Sequence, residues 1–148
     1  MQQFEQTCRT QWEQSSPAAQ VVRGYLEEVW NERRYHRASE SLADEYGTGG
    51  AGGPTPGVGN AARFHEAFPD LHIQLDQVVT QADTVATWMT LHGTHLGTFR
   101  DHPPSGHAAT WHEVGFWQVT SGKISSGHFL ADMFGLRKQL GILPPDLT

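Results

Sequence analysis

Aromatic and β-branched residues alternate with polar ones throughout the second half of this chain, over runs that have the length of strands, and histidines occupy the same runs. Successive side chains of a strand point to opposite faces, so these runs build a sheet with one aromatic face. The predicted strands cover 71–80, 84–92, 108–119 and 123–131, with a further short one at 94–99. An apolar face with a few titratable groups beside it favours a small-molecule pocket.

Helical spacing of apolar residues dominates the first half. Ser16 is a predicted N-cap and Pro17 a first helical residue, and the helix that they begin is predicted to end near Asn31. A weaker helix is predicted over 36–43. Asn60 is the predicted cap of another short helix, which carries Phe64, Ala67 and Phe68 on one side.

Loops and turns organise the rest of the chain. Residues 47–59, rich in glycine, are predicted to form a long irregular loop, either a lid or a tolerated insertion. Asp132 is the predicted cap of a final helix. Helices followed by an antiparallel meander are the α+β pattern, here a strongly curved sheet wrapped around the N-terminal helices. We expect one domain over 16–148, preceded by a flexible polar arm at 1–15.

Composition restricts the class of protein. A chain of 148 residues is long enough for one domain with its own core. The net charge of -6 argues against a nucleic-acid partner, which needs a basic face. Cys8 is the only cysteine, and no run approaches the ~18 apolar residues of a membrane span. We therefore expect a soluble, cytoplasmic protein that binds neither nucleic acid nor membrane.

Five short motifs occur in a characteristic order. They are Tyr25-Leu26-Glu27-Glu28-Val29-Trp30-Asn31, Ala67-Phe68-Pro69-Asp70-Leu71, Gly93-Thr94-His95-x-Gly97-x-Phe99, Ser121-Gly122-Lys123-Ile124 and Phe134-Gly135-Leu136-x-x-Gln139-Leu140-Gly141. In this order the chain resembles the SnoaL-like polyketide cyclases, also called ester cyclases, over about residues 18–145. The resemblance implies a cone-shaped α+β barrel of the nuclear-transport-factor-two-like superfamily, usually a homodimer. It also implies acid/base chemistry on a polyketide-derived ring, without metal or cofactor.

One departure from that family concerns the last strand. Ring-closing members usually carry a Trp-Asp pair five and six residues after the hairpin lysine, and the resemblance places His128 and Phe129 at these positions. A histidine that the preceding strand often supplies opposite the aspartate falls at Gly115. The resemblance therefore predicts the fold more firmly than it predicts ring closure.

Three residues are candidates for proton transfer. Glu113 shares a strand face with Trp111 and Trp117, where desolvation would raise its pKa; the alternative is an exposed glutamate at the rim. Asp132 is the carboxylate near the end of the last strand, although a helix cap is the more ordinary role for it. His128 is a candidate general base because histidine commonly takes that role. By strand parity, however, it faces away from Phe129, so packing in the sheet or in a dimer face is the alternative.

Aromatic residues are the candidates for packing a planar substrate, or for an ordinary core. They are Trp88, Trp111, Phe129, Phe64, Phe68 and Trp117. His92 and His95 have no convergent carboxylates, so no metal site is predicted, and His95 is expected to bond to backbone at a strand bend.

The first functional hypothesis is a cofactor-independent tailoring enzyme that acts on an aromatic or polyketide-like molecule. A non-catalytic protein that binds a small hydrophobic or aromatic ligand, or acts in assembly, is the second. A hydroxylation-type tailoring protein that works with a separate reductase is the third. In each case a homodimer is expected, because alternation leaves Val114, Phe116, His128 and Leu130 on the sheet face away from the cavity.

Overall fold

The structure, a computed structural model, describes residues 16–46 and 55–147. Its helices are α1 (Pro17–Tyr25), continued by a π-helical segment (Leu26–Asn31), a 3₁₀ turn (Tyr35–Arg37), α2 (Ala38–Ser41), α3 (Thr55–Ala67), α4 (Met133–Leu140) and a 3₁₀ turn (Pro145–Leu147). Its strands are β1 (His72–Gln81), β2 (Thr84–Thr94), β3 (Ala108–Thr120) and β4 (Lys123–Ala131). The predicted arm at 1–15 and residues 47–54 of the predicted loop lie outside the described residues. The rest of that loop, 55–59, was predicted wrongly, because it forms the start of α3.

The four strands form one antiparallel sheet in the order β1-β2-β3-β4. The hairpin between β3 and β4 turns at Ser121 and Gly122, both with positive φ, as a two-residue turn requires. Val114 lies opposite Leu130 across this hairpin, as predicted. One residue is unpaired in each of two strands, Asp76 in β1 and Ser125 in β4, and such bulges bend a sheet locally. The α+β prediction is confirmed.

The first helix follows its sequence signals. The Ser16 hydroxyl accepts a hydrogen bond from the Ala19 amide at 3.2 Å, and the predicted apolar stripe of Val22, Leu26 and Val29 is buried. The helix is α-helical to Tyr25 and continues as the π-helical segment to Asn31, where the sequence predicts the helix to end.

Side-chain amides and a carboxylate from the motifs attach these elements to one another. The Asn31 amide exchanges two hydrogen bonds with the Ile73 backbone, at 2.8 and 2.9 Å, and so fixes the end of the π-helical segment to β1. Gln139 of α4 does the same with the Thr110 backbone on β3. The amide and hydroxyl of Thr94 donate to Asp70 at 2.6 and 2.7 Å. These motif residues therefore fix the helices and strands relative to one another.

Three predictions about element boundaries are wrong. The region 94–99 is not a strand, because β2 runs to Thr94 and the following loop turns onto the end of α3, where Leu96 and Gly97 donate to the Ala67 carbonyl. Asn60 does not cap a helix, because α3 begins at Thr55 and Asn60 lies inside it. The helix predicted over 36–43 is divided between a 3₁₀ turn and the short α2.

The sheet has two unlike faces. The concave face carries the odd-numbered residues of β2 and β3, and most of its large side chains are buried under α1 and α3, among them Val85, Met89 and Trp111. The outer face carries the even-numbered residues, including Trp88, Phe116 and Leu130, which are exposed. Within the described part of the chain, no helix is long and apolar enough to cross a membrane.

Candidate active site

A cavity of about 320 Å³ lies between the concave face and the elements α1, the π-helical segment and α3. Aromatic side chains supply much of its wall: Tyr25, Trp30, Tyr46, Phe64, Trp117 and Phe129. The aliphatic part of the wall consists of Leu26, Ile73, Met89 and Leu91. The remaining lining residues are Asn60, Arg63 and Glu113. A mainly apolar wall with few polar groups suits a flat, hydrophobic ligand.

Glu113 is the one carboxylate in the lining of this cavity among the described residues. It lies on β3 opposite Met89 of β2, on the same face as Trp117, as strand alternation predicts. Burial raises the pKa of Glu113 above its usual 4.5. A carboxylate that is harder to ionise is a stronger base once ionised, which is the property a general base needs.

Two phenols lie in the same cavity. The rings of Tyr25 and Tyr46 meet edge to face with their centroids 6.4 Å apart. Burial raises the pKa of Tyr25 to about 12. Burial also raises the pKa of Tyr46, with smaller contributions from Tyr25 and from the charge of Glu113. Both hydroxyls therefore keep their protons at neutral pH and can donate hydrogen bonds to a ligand oxygen.

Phe129 and Gly115 are direct partners across β3 and β4. The Phe129 ring packs edge-on against Trp117 at 4.6 Å between centroids. A Cβ added to Gly115 would lie 3.0 Å from the Phe129 ring and 2.9 Å from the hydroxyl of Thr87, which accepts the Trp117 indole hydrogen bond. The Trp117 indole nitrogen would be nearer still, at 2.7 Å, so Trp117, Thr87 and Phe129 together fill the space that a side chain on Gly115 would need.

The other two candidates for proton transfer lie elsewhere. The Asp132 carboxylate accepts a hydrogen bond from the Gly135 amide at 2.8 Å and caps α4, which is the ordinary role weighed for it. His128 is exposed on the outer face, paired with Phe116. The structure therefore brings Glu113 to the cavity and does not bring Asp132 or His128 there.

The aromatic candidates divide between the cavity wall and the core behind it. Phe64, Trp117 and Phe129 line the cavity. Phe68 and Trp111 are fully buried and pack against each other at 5.3 Å between ring centroids, outside the lining. They support the wall from behind.

Trp88 requires a correction. It was predicted to pack against a substrate, but it lies on the outer face, 47% exposed, with its ring 5.6 Å from that of His112. The physical reason is strand parity: Met89, its neighbour, points into the cavity, so Trp88 points away from it.

The sequence reasoning missed the aliphatic lining residues Leu26, Ile73, Met89 and Leu91. It also missed the aromatic and polar ones Tyr25, Trp30, Tyr46, Asn60 and Arg63. Tyr25 had a usable signal, because it lies three residues after the buried Val22 on the apolar stripe of α1. Tyr46 had none, since it follows α2 in an irregular segment.

His92 and His95, for which no metal site is predicted, have partners within the protein: the His92 ring contacts that of His72, and His95 is hydrogen-bonded to Ser105. The Ser105 amide donates to His95 Nδ1 at 3.1 Å, so the predicted backbone bond of His95 is confirmed. Over residues 16–46 and 55–147, no group of three or more histidine, cysteine or acidic side chains is arranged to hold a metal ion.

Comparison with solved structures gives the same architecture. TsrD from Streptomyces laurentii is 22% identical, with a TM-score of 0.78 over 86% of this chain and 96% of its own. IdmH from Streptomyces antibioticus is 23% identical, with a TM-score of 0.71 over 84% and 98%. AclR, "a putative hydroxylase" from Streptomyces galilaeus, is 24% identical, with a TM-score of 0.68 over 80% and 81%. At these identities the likeness shows the fold.

A comparison with curated proteins found no significant match. The family comparison is decisive, because the profile of the SnoaL-like polyketide cyclases matches residues 20–140, most of the chain. This protein is a member of the SnoaL-like polyketide cyclase family.

Proposed function

We propose that this protein is a cofactor-independent tailoring enzyme that moves a proton on an aromatic or polyketide-like ketone, with Glu113 as the general base. The observation that carries the proposal is a half-buried carboxylate of raised pKa that lines an aromatic cavity. Family membership supports the reaction class, since ring closure begins with removal of a proton from carbon next to a carbonyl.

The side chains around Glu113 support this chemistry. The carboxylate accepts the proton from carbon, and the resulting enolate oxygen carries the negative charge. The protonated hydroxyls of Tyr25 and Tyr46 are available to donate hydrogen bonds to that oxygen. The mainly apolar wall lowers the local polarity around these groups, which strengthens each of these interactions.

The test measures proton removal without needing the natural substrate. Naphthyl and anthraquinonyl methyl ketones are incubated with the protein in D₂O, and deuterium uptake next to the carbonyl is followed by mass spectrometry. We expect Glu113→Gln to lower the exchange rate by about 10²–10⁴, the usual contribution of a general base. The matched control is Glu40→Gln, which removes an exposed carboxylate on α2 and should change nothing. Equal rates for wild type and Glu113→Gln would contradict the proposal.

The pH dependence provides a second measurement. Because the pKa of Glu113 lies above the usual 4.5, the rate should fall on the acid side of a midpoint higher than 4.5. That limb should disappear in Glu113→Gln.

A binding protein is the second candidate, and Phe129 favours it. In ring-closing relatives an aspartate is expected at this position, whereas here an aromatic ring covers Gly115. If a ligand quenches the fluorescence of Trp30 and Trp117 but no ketone exchanges its protons, this candidate replaces the first. The likeness to AclR keeps a hydroxylation-type role as a third, which would require oxygen incorporation in the presence of a reductase.

We also propose a homodimer that covers the outer face. Phe116 is 54% and Leu130 78% exposed there, beside Trp88, and such a patch is unusual for a monomer. Sedimentation at micromolar concentration should give twice the chain mass of 16.4 kDa, and Leu130→Lys should return the protein to the single-chain mass. A wild-type mass of 16.4 kDa would contradict the dimer.

A further inference from the structure

A second cleft, of about 500 Å³, opens beside the cavity. The two share Asn60, Arg63 and Phe64 in their walls, so they adjoin each other. The rest of the cleft is lined by Glu66, Thr98, Phe99 and Arg100. Its chemistry differs from that of the cavity, because two of its lining residues are arginines.

The backbone segments that carry the two arginines are attached to each other. Arg63 lies on α3, and Arg100 lies in the loop that follows β2. That loop is attached to the end of α3, where the amides of Leu96 and Gly97 donate to the Ala67 carbonyl at 3.0 and 3.1 Å. A Cβ on Gly97 would lie only 2.0 Å from the Glu66 carbonyl oxygen, so only glycine permits this close approach.

A tight turn orients Arg100. Phe99 and His102 exchange two backbone hydrogen bonds of 3.0 Å, which leaves Arg100 in the left-handed region with φ 54°. A non-glycine residue there is uncommon and costs conformational energy. The guanidinium lies 5.8 Å from the centre of the Phe99 ring, and Phe99 lines the cleft. The turn therefore holds a cation beside an aromatic surface.

Neither arginine is neutralised by an ion pair within the described residues. By contrast, Arg34 and Arg37 pair with neighbouring glutamates. The cleft contains one acidic side chain, Glu66, so its charged groups sum to a single positive charge. That balance favours a monoanion over a dianion.

We propose that the cavity and the cleft bind one ligand, an aromatic ring system that carries a carboxylate, with its rings in the cavity and its carboxylate between Arg63 and Arg100. This inference rests on the proposed function only in placing the rings in the cavity. Guanidinium groups bind carboxylates through paired, charge-assisted hydrogen bonds, and two arginines bring more donors than one carboxylate needs. The site thus selects an acid over its ester or amide.

The test uses three small probes of one shape: 2-naphthoate, 2-naphthamide and 2-naphthyl phosphate. Binding is measured through quenching of tryptophan fluorescence at low salt. We expect wild type to bind naphthoate about tenfold more tightly than naphthamide, as charge-assisted contacts allow. The preference should shrink as salt is added. Naphthyl phosphate should bind more weakly than naphthoate, and Glu66→Gln should narrow that gap.

Variants of the two arginines test whether these residues cause the preference for naphthoate over naphthamide. Arg63→Gln and Arg100→Gln should each reduce the naphthoate-to-naphthamide ratio by about threefold, and the double variant should remove it while leaving naphthamide affinity unchanged. The control is Arg34→Gln combined with Lys138→Gln, which removes the same net charge away from the cleft and should keep the ratio. Arg63→Lys keeps the positive charge but loses the planar guanidinium, so it should retain part of the preference for naphthoate.

Four results would overturn the inference. These are equal affinity of wild type for naphthoate and naphthamide, an unchanged ratio in the double variant, an equal loss in the control, and tighter binding of the phosphate. Failure of the proposed function is recognised separately, because Glu113→Gln reports on proton exchange while these ratios report on binding.

Discussion

The concave and outer faces of the sheet come from the same alternating sequence, but the large apolar side chains of the concave face are buried and those of the outer face are exposed. Met89 and Trp117 are buried to within 3% of full burial, whereas their neighbours Trp88 and Phe116 are 47% and 54% exposed. The outer face mixes such large apolar side chains with polar ones, among them Thr90 and His112, so the hydrophobicity of a single residue does not distinguish the two faces. The helices do, because α1 and α3 cover one face and leave the other open. An apolar strand residue is therefore assigned to a cavity only once its covering element is known.

The largest expected effect tests that contrast at adjacent positions. Met89→Ala should lower the free energy of unfolding by about 2–5 kcal/mol, the usual range for a buried large-to-small change. Trp88→Ala should change the stability of the single chain by about 0.5 kcal/mol or less. Urea denaturation at several protein concentrations is the measurement. If the outer face forms a dimer, the Trp88→Ala effect should grow with concentration. Equal losses for both variants at low concentration would contradict the two-face description.

A smaller effect is expected where the concave face is most crowded. Gly115→Ala should cost about 1–3 kcal/mol, because its Cβ overpacks the space held by the Trp117 indole and the Phe129 ring. Gly24→Ala is the control, since a Cβ there meets nothing within 4 Å. On α1 it should stabilise the protein slightly. Thermal unfolding of both variants is the measurement. An unchanged stability of Gly115→Ala would mean that the Trp117 and Phe129 rings move aside freely.

The cap of α4 should matter to stability and not to chemistry. Asp132→Ala should cost about 0.5–2 kcal/mol, and Asp132→Asn less, because asparagine also caps helices. Deuterium exchange into the ketone probes should stay at the wild-type rate in both variants. A loss of exchange in well-folded Asp132→Asn would return this carboxylate to the list of catalytic groups.

The smallest effect concerns the pH dependence of stability that two buried histidines, His65 and His95, are expected to cause. His65 Nε2 donates to the Trp30 carbonyl, so its Nδ1 accepts from the Tyr35 hydroxyl at 2.5 Å. Burial lowers the pKa of His65 and of His95 below the usual 6.5. The unfolded chain then binds more protons as pH falls, so stability is full above pH 6.5 and decreases below it.

Urea midpoints between pH 7.5 and 5 measure this decrease. His65→Gln should flatten the slope, and His36→Gln, at an exposed position, should leave it unchanged. An unaltered slope in His65→Gln would remove this histidine from the explanation.

Local patterns predicted much of the fold and part of the site. Alternation along β3 and β4 was enough to place Glu113 and Phe129 on one face, since parity is a local property. It was not enough to exclude Trp88, because the covered face is decided by helices distant in sequence. Arg63 escaped prediction for the same reason, because the cavity that its helix helps to enclose is formed with elements distant in sequence. The loop after β2 was taken for a strand because its attachment to Ala67 is a tertiary contact.

The pairing of Gly115 with Phe129 has a consequence for how this protein can change over evolutionary time. A Cβ gained at Gly115 would lie 2.7 Å from the Trp117 indole nitrogen, 2.9 Å from the Thr87 hydroxyl and 3.0 Å from the Phe129 ring, so that step is disfavoured while these side chains remain. Replacement of Phe129 alone relieves the mildest of the three contacts, so a side chain at this position also requires changes at Trp117 and Thr87. Gly115 is thus epistatic with several positions at once, and a lineage that has acquired the glycine in this setting does not readily retrace its route.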